Sequence, residues 1–159
     1  MKFPPHPLTR PQVEALLRVC GTNLSGTRNR ALLALIYRTG IRISEACRLM
    51  MADIERRDGV ICIRISHTKT NLGHRDLALD DRAMELLELW LKARGDEVGP
   101  VFHTRTGELL QTSYVRQLLP RLAKRVKLRR RVHAHALRHT FARELYDEGV
   151  GIVEIQLAL

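Results

Sequence analysis

The stretch His135-Ala136-Leu137-Arg138-His139 is predicted to form one turn of a helix that carries three polar, chemically active side chains. Residues three apart in a helix share a face, so the His135 imidazole and the Arg138 guanidinium stand side by side. These two groups repel each other once the imidazole is protonated, and an anionic ligand between them removes that repulsion. The pair therefore predicts a site for an anion such as a phosphate.

The overall charge of the chain is strongly positive. Its 159 residues include 27 Lys and Arg against 17 Asp and Glu, which gives a formal charge of +10. A field of this sign and size captures polyanions, so nucleic acid is the leading partner. The length and a hydrophobic content of 45% suit one domain with a substantial core. No membrane span or secretory signal is evident, and a cytoplasmic location is expected.

The hydrophobic pattern predicts a fold that is mainly α with a small antiparallel β-sheet, an α+β arrangement. Apart from the His-Arg turn, apolar residues recur at helical spacing in segments bounded by capping residues or glycine. These predicted helices run from a cap at Thr9 to Gly21, from about Thr27 to Gly40, from a cap at Ser44 through Met50, from Asp80 to Gly95, and from a cap at Thr112 or Ser113 toward Leu128. Pro120 inside the last of these predicts a kink or a broken register.

A β-hairpin is predicted in the middle of the chain. Val60–Ile65 is rich in β-branched residues, and Arg75–Leu79 alternates between polar and apolar side chains. Asn71 and Gly73 supply a turn between them. Lys69 therefore lies in the connection between the two strands, far upstream of the His-Arg turn.

The densest basic stretch of the chain lies just before the His-Arg turn. It combines helical and loop residues that present positive charge to a polyanion, and we predict that these residues bind DNA together with the strand residue Arg75. The stretch contributes Arg116, Arg121, Lys124, Arg125, Arg129, Arg130 and Arg131.

A metal site is a second interpretation of the histidines around the same turn. His133, His135 and His139 together offer three imidazoles. However, the turn has no Asp or Glu at metal-ligand spacing, and Arg138 between the imidazoles opposes a cation. We predict no metal, and a histidine-site metallohydrolase stays open as an alternative.

Three short segments follow one another along the chain, each within a predicted element of secondary structure. They are Thr39–Glu45 with the letters TGIRISE, Thr68–Thr70 within the hairpin, and His135–Ala142 with the letters HALRHTFA. Together they resemble the catalytic domain of the tyrosine recombinase and phage integrase family. The opening Leu8–Glu14 is similar to the start of that domain, so the resemblance covers nearly the whole chain.

The resemblance implies roles for four residues. Arg42 and Arg138 would hold the non-bridging oxygens of a scissile phosphate, since guanidinium forks match phosphate geometry and gain most as charge builds in the transition state. Lys69 would donate a proton to the departing 5′ oxygen. His135 would assist proton transfer at the attacking side or hydrogen-bond the phosphate. Glu45 and His139 would orient these side chains without contacting the phosphate themselves.

The resemblance also implies a domain organisation. Residues 1–8 are expected to be a linker stub, and residues 9–159 a recombinase catalytic domain that lacks its last segment. The helical DNA-clamping domain that usually precedes it is expected to be absent. In this family a Gly-His or Gly-Trp segment and then the nucleophilic tyrosine follow an apolar helix such as Ile152–Leu159, and both are expected to be missing.

The expected function follows from these implied roles. The complete parent would break and rejoin duplex DNA through a 3′-phosphotyrosyl link, which conserves the bond energy and needs no cofactor. Tyr37, Tyr114 and Tyr146 are poor substitutes for the nucleophile, so this chain is expected to bind DNA without cleaving it alone. Because the family self-assembles on DNA through the missing segment, the isolated chain is expected to be monomeric. A non-catalytic DNA-binding module on the same scaffold is the alternative.

Overall fold

The computed structural model describes residues 6–66 and 73–159. Over these ranges the chain forms a mainly helical fold with a small antiparallel sheet, which confirms the predicted class. The elements are α1 (Arg10–Arg18), α2 (Leu24–Thr39), α3 (Ile43–Arg48), a 3-10 turn (Met51–Asp53), β1 (Ile54–Arg57), β2 (Val60–Ile65), β3 (Arg75–Leu77), α4 (Asp81–Arg94), α5 (Thr112–Arg125), α6 (Ala134–Asp147) and α7 (Ile152–Ala158).

Helix α2 is the centre of the core. Its residues from 31 to 37 are all buried, and it packs mainly against α4 and α6. A helix that is apolar on every side must be surrounded by other elements, because no face of it tolerates water. The C-terminal end of α2 lies beside the start of α3 and packs against α6, so the segments around Arg42 and Arg138 meet there.

The starts of α1 and α4 agree with the prediction, and those of α2 and α3 do not. Thr9 caps α1 in a reciprocal capping box with Gln12, and Asp80 caps α4 by accepting from the Ala83 N–H at 2.8 Å. Helix α2 starts earlier than predicted, because Asn23 supplies its cap. The prediction that Ser44 caps α3 was wrong. Arg42 holds the cap position of α3, and Ser44 lies within the helix.

The sheet has three antiparallel strands in the order β1-β2-β3. The predicted pairing of the second and third strands is confirmed, with Ile63 opposite Leu77. Strand β1 was missed, although its turn signal was present in the sequence. Asp58 and Gly59 both have positive φ, at 50° and 78°, and an Asp-Gly pair favours this kind of tight hairpin turn. The predicted turn at Asn71 lies outside the described residues.

Helix α5 runs unbroken through Pro120, so the prediction of a broken register was wrong. Pro120 lies on the exposed side of the helix, where water can satisfy the carbonyl that proline leaves without a donor. The predicted cap at Thr112 or Ser113 was wrong, because Gln111 holds the cap position and both residues lie within the helix. The helix ends at Arg125, before the predicted end near Leu128. Among the described residues, no helix has the length and apolar character needed to cross a membrane.

Candidate active site

Arg42 lies in the tight junction between α2 and α3. Gly40 ends α2 in the left-handed region with φ of 65°, and Arg42 then stands at the cap position of α3. The Glu45 carboxylate caps the helix in place of a Ser44 hydroxyl, because its Oε2 accepts from the Arg42 backbone N–H at 3.0 Å. The Arg42 side chain is 44% exposed, so its guanidinium is open to a ligand.

Arg138 projects from the second turn of α6 toward the end of α2. Its Nη1 donates to the Gly40 carbonyl oxygen and its Nη2 to the Leu159 backbone oxygen, both at 2.6 Å. A guanidinium has five N–H groups, so three remain for a ligand. Burial is the main cause that lowers the pKa of Arg138 to about 10; the positive charges of Arg42 and Arg75 contribute to this shift, and the Glu45 carboxylate opposes it. An anion bound here would stabilise the charged form of Arg138 and raise its pKa again.

The structure brings three of the four implied catalytic residues around one open depression of about 360 Å³. Arg42 borders it from the α2–α3 junction, and His135 and Arg138 border it from α6. The Ile41, Ile43, Ser44 and Ala134 positions complete the lining. Lys69 lies outside the described residues, so its implied role stays a prediction. Two guanidiniums and an imidazole on one concave surface match the charge and the hydrogen-bonding geometry of a phosphate group.

Glu45 borders a neighbouring depression, which shares Arg42 and Ser44 with the one that His135 and Arg138 line. Its side chain is 10% exposed, and its carboxylate accepts from Arg42 Nη1 at 3.3 Å and from Arg75 Nη2 at 2.9 Å. These contacts with Arg42 are compatible with the orienting role that the resemblance implies for Glu45, and this role stays a prediction. The Arg75 side chain is only 21% exposed, so it differs from the surface residues with which it was grouped.

The alternation of side chains along β3 indicates which face of the strand carries Arg75. Residues two apart in a strand share a face. Leu77 is buried and Asp76 is exposed, so Arg75 belongs to the inward face of β3. The alternation of Arg75, Asp76 and Leu77 thus indicates a shielded guanidinium that needs an internal partner, which Glu45 supplies.

The three histidines form a cluster at the start of α6. The His135 and His139 rings lie 4.4 Å apart in an edge-to-face arrangement, and the His133 and His135 rings lie 6.5 Å apart. His135 is exposed at the depression, whereas His139 is partly buried and lines a separate depression on the side of Ala142 and Tyr146. Burial lowers the pKa of both His133 and His139, and neighbouring imidazoles and arginines lower it further. Within residues 6–66 and 73–159, no three His, Cys, Asp or Glu side chains are arranged to hold a metal ion.

The predicted basic stretch lies on α5 and the loop that follows, outside the lining of the depression. Most of its side chains are exposed, and Arg130 is partly buried. Three of them already make contacts within the protein: Arg121 stacks near the Tyr114 ring, Arg125 donates to the Val19 carbonyl at 3.2 Å, and Arg130 donates to the His6 carbonyl at 2.8 Å. The stretch forms a broad positive surface, and its DNA contacts stay predictions.

The model of the phage integrase family matches residues 7–159 of the chain. The chain belongs to this family. One relative is the tyrosine recombinase XerC of Thermodesulfovibrio yellowstonii, with 32% identity over 81% of this chain and 44% of the relative. The XerC of Anoxybacillus flavithermus is 31% identical over 96% of this chain and 52% of the relative. The chain thus spans about half the length of the curated relatives it matches.

Solved structures share the fold of this integrase-family chain. The XerH site-specific recombinase bound to the palindromic difH substrate matches with a TM-score of 0.79 and 29% identity, over 98% of this chain and 46% of XerH. The XerA recombinase matches with a TM-score of 0.82 over 98% of this chain and 54% of XerA. At 23% identity, XerA supports the fold alone.

We expect this integrase-family domain to lose stability as the pH falls below about 6.5, because the pKa of His133 and of His139 is lower in the folded chain than in the unfolded one. The unfolded state then binds more protons, so acid favours it. His133 adds a structural reason: its Nδ1 accepts from the Ala136 N–H at 3.2 Å, and protonation of that nitrogen removes the cap of α6.

The His133→Asn variant tests this prediction, since asparagine caps a helix but does not titrate. Thermal unfolding of both proteins at about pH 7.5 and about pH 5.5 gives the comparison. The variant should lose less of its melting temperature on acidification than the wild type. Equal losses in the two proteins would contradict a contribution from His133.

Proposed function

We propose that this chain is the catalytic domain of a site-specific DNA recombinase. It binds duplex DNA, and in the complete protein it breaks and rejoins strands through a 3′-phosphotyrosyl intermediate. The observation that carries the proposal is the convergence of Arg42, His135 and Arg138 on one depression. A phosphodiester is the group that this arrangement of cations fits, and the excess of 27 basic over 17 acidic residues suits its polyanionic carrier.

The proposed chemistry assigns a task to each side chain. A tyrosine oxygen attacks the phosphorus, the bond to the 5′ oxygen breaks, and negative charge builds on the non-bridging oxygens. Arg42 and Arg138 neutralise that charge from two sides, and fixed donors of this kind contribute most in the transition state. Lys69 gives a proton to the departing 5′ oxygen, and His135 assists proton transfer on the attacking side. Religation reverses these steps without a cofactor.

We propose that none of the three tyrosines of the chain acts as this nucleophile and that the chain alone does not cleave DNA. Tyr37 is 1% exposed and donates its hydroxyl hydrogen to Glu144 at 2.6 Å. The Tyr114 hydroxyl pairs with Asn29. Tyr146 is 55% exposed, but it follows Arg138 by eight residues on α6, about 12 Å along the helix axis.

A covalent-trapping assay tests this part of the proposal. The chain is incubated with a nicked duplex that prevents religation, and the products are separated in SDS. We expect retarded DNA in a native gel, with an affinity that falls steeply with salt, and no SDS-stable adduct. An adduct that disappears in the Tyr146→Phe variant would overturn the proposal that the nucleophile is absent. Failure to bind duplex DNA at low salt would overturn the proposal as a whole.

A non-catalytic DNA-binding module is the second candidate, and the position of the tyrosines favours it. Salt-dependent binding does not separate the two candidates, because both neutralise phosphates. The coding sequence downstream of the Leu159 codon does. A Gly-His pair followed by a tyrosine in the same frame supports the enzyme, and a stop codon in the native gene supports the module. For the isolated chain we propose a monomer, and sedimentation that shows a defined tetramer without DNA would contradict this.

A further inference from the structure

The guanidinium of Arg75 directs all its described contacts toward the protein interior. Its Nη2 donates to Glu45 Oε2 at 2.9 Å, and its Nη1 donates to the Leu159 backbone oxygen at 3.0 Å. Its Nε is shielded from solvent and has no hydrogen-bond partner among the described residues. A side chain held in this way is poorly placed to reach a DNA phosphate itself.

The partner of Arg75 is shared with a residue of the candidate site. Glu45 Oε2 accepts from Arg75 Nη2 and also from the Arg42 backbone N–H at 3.0 Å. Glu45 Oε1 accepts from Arg42 Nη1 at 3.3 Å. One carboxylate thus lies between two guanidiniums, and the shorter side-chain contact is the one to the shielded Arg75.

The second partner of Arg75 connects it to the other guanidinium of the site. The Leu159 backbone oxygen accepts from Arg75 at 3.0 Å and from Arg138 at 2.6 Å. Arg75 therefore shares one acceptor with each of the two arginines that line the depression. It joins β3 to α3 through Glu45, and it joins β3 to α6 through Leu159.

We propose that Arg75 is a positioning residue that keeps Arg42 available to a phosphate. This inference rests on the proposed function and revises the prediction that Arg75 contacts DNA. With Arg75 present, Glu45 shares its negative charge between two cations, and the 44% exposed Arg42 side chain stays open. Without Arg75, the full charge of Glu45 falls on Arg42, and a closed Arg42–Glu45 pair competes with phosphate for the same guanidinium.

A double-variant experiment on the whole chain tests this mechanism. Binding to a short duplex is measured by fluorescence anisotropy over a range of salt concentrations for wild type, Arg75→Gln, Glu45→Gln and the Arg75→Gln/Glu45→Gln double variant. Arg75→Gln should weaken binding about tenfold and reduce the salt slope by about 0.9, the value of one phosphate contact. The double variant should recover both, because removal of the Glu45 charge frees Arg42.

Two further variants make the result specific. Arg75→Lys keeps a cation beside Glu45 and should restore most of the affinity, although one ammonium cannot serve both Glu45 and Leu159. Arg64→Gln removes an equal charge from the neighbouring strand, where Arg64 makes an exposed pair with Asp76 at 3.2 Å, and should leave the slope nearly unchanged. Circular dichroism and thermal melting of every variant identify any that fail to fold, and Arg75→Lys then carries the test.

The possible outcomes separate this inference from the proposed function. If the double variant binds as weakly as Arg75→Gln, with the same reduced slope, Arg75 contacts DNA directly and the positioning role is wrong. If Arg75→Gln binds like Arg64→Gln, Arg75 has no part in the site. If Arg42→Gln and Arg138→Gln also bind like wild type, the depression does not hold a phosphate and the proposed function itself fails.

Discussion

The Arg138→Gln variant is expected to bind duplex DNA about 10- to 100-fold more weakly than wild type, because charge-assisted hydrogen bonds of this kind contribute about 1.5–3 kcal/mol. Arg138 faces the depression from α6, and the Gly40 and Leu159 oxygens fix its guanidinium in place. A fork held in this way loses little freedom when it binds a phosphate. Equilibrium titration at several salt concentrations should also show a slope reduced by about 0.9.

The same substitution should change the free energy of unfolding much less than it changes binding. Burial and the nearby Arg42 and Arg75 charges lower the pKa of Arg138 to about 10, so the folded protein tolerates this cation poorly. The glutamine side chain is neutral, so the variant avoids the free-energy cost of this partly buried charge. That gain offsets the loss of the two hydrogen bonds that Arg138 donates. Urea unfolding of wild type and variant measures this difference.

Arg143→Gln is the matched control for Arg138→Gln. Arg143 lies on the same helix, but its side chain is 61% exposed and pairs with Asp147 at 2.9 Å. Both variants lose one positive charge, so the general attraction to DNA falls equally in each. Comparable losses of affinity in the two would mean that net charge alone governs binding, and the phosphate site at the depression would be refuted.

The Gly40→Ala variant is expected to be destabilised by about 2–5 kcal/mol, a large share of the stability of a typical domain. Gly40 has φ of 65°, where an L-residue costs about 1–2 kcal/mol. A Cβ atom at this position would lie 2.6 Å from side-chain atoms of both Leu159 and Phe141. Overpacking of this kind costs about 1–3 kcal/mol more. Thermal and urea unfolding measure the total.

Gly149→Ala separates the two contributions. Gly149 follows α6 and also has a positive φ of 87°, but nothing lies within 4 Å of the Cβ position. It should therefore show the backbone cost without the packing cost. Equal destabilisation of both variants would mean that Leu159 and Phe141 move aside freely. Because Gly40 also presents its carbonyl to Arg138, the Gly40→Ala protein should bind DNA more weakly where it remains folded.

Local sequence signals were reliable wherever one residue acts on its own chain neighbourhood. Thr9, Asp80 and Gly40 stand at helix ends as predicted, because capping and left-handed conformations depend on a few adjacent residues. The predicted start of α3 was wrong because two neighbouring residues compete to cap it. Ser44 has a capping side chain, but Glu45 three residues after Arg42 accepts the backbone N–H instead, and a single favourable residue type does not decide such a competition.

These local signals do not predict charge pairs between residues that are distant in the sequence. Arg75 and Glu45 are 30 residues apart, and the sequence does not state that β3 and α3 lie against each other. Arg75 was consequently grouped with exposed cations of α5 such as Arg116, from which its surroundings differ completely. The alternation within β3 indicated an inward side chain, but it did not identify the partner.

The sequence by itself determined the family, the mainly helical class and the identity of the candidate cations, since each depends on residue types at short spacing. Only the tertiary structure decided that Arg42, His135 and Arg138 border one depression while Arg75 is shielded and pairs with Glu45. The physical reason is that helix and strand patterns report the face on which a side chain stands. The distance between two faces is set by the packing of α2 against α6, which no local pattern encodes.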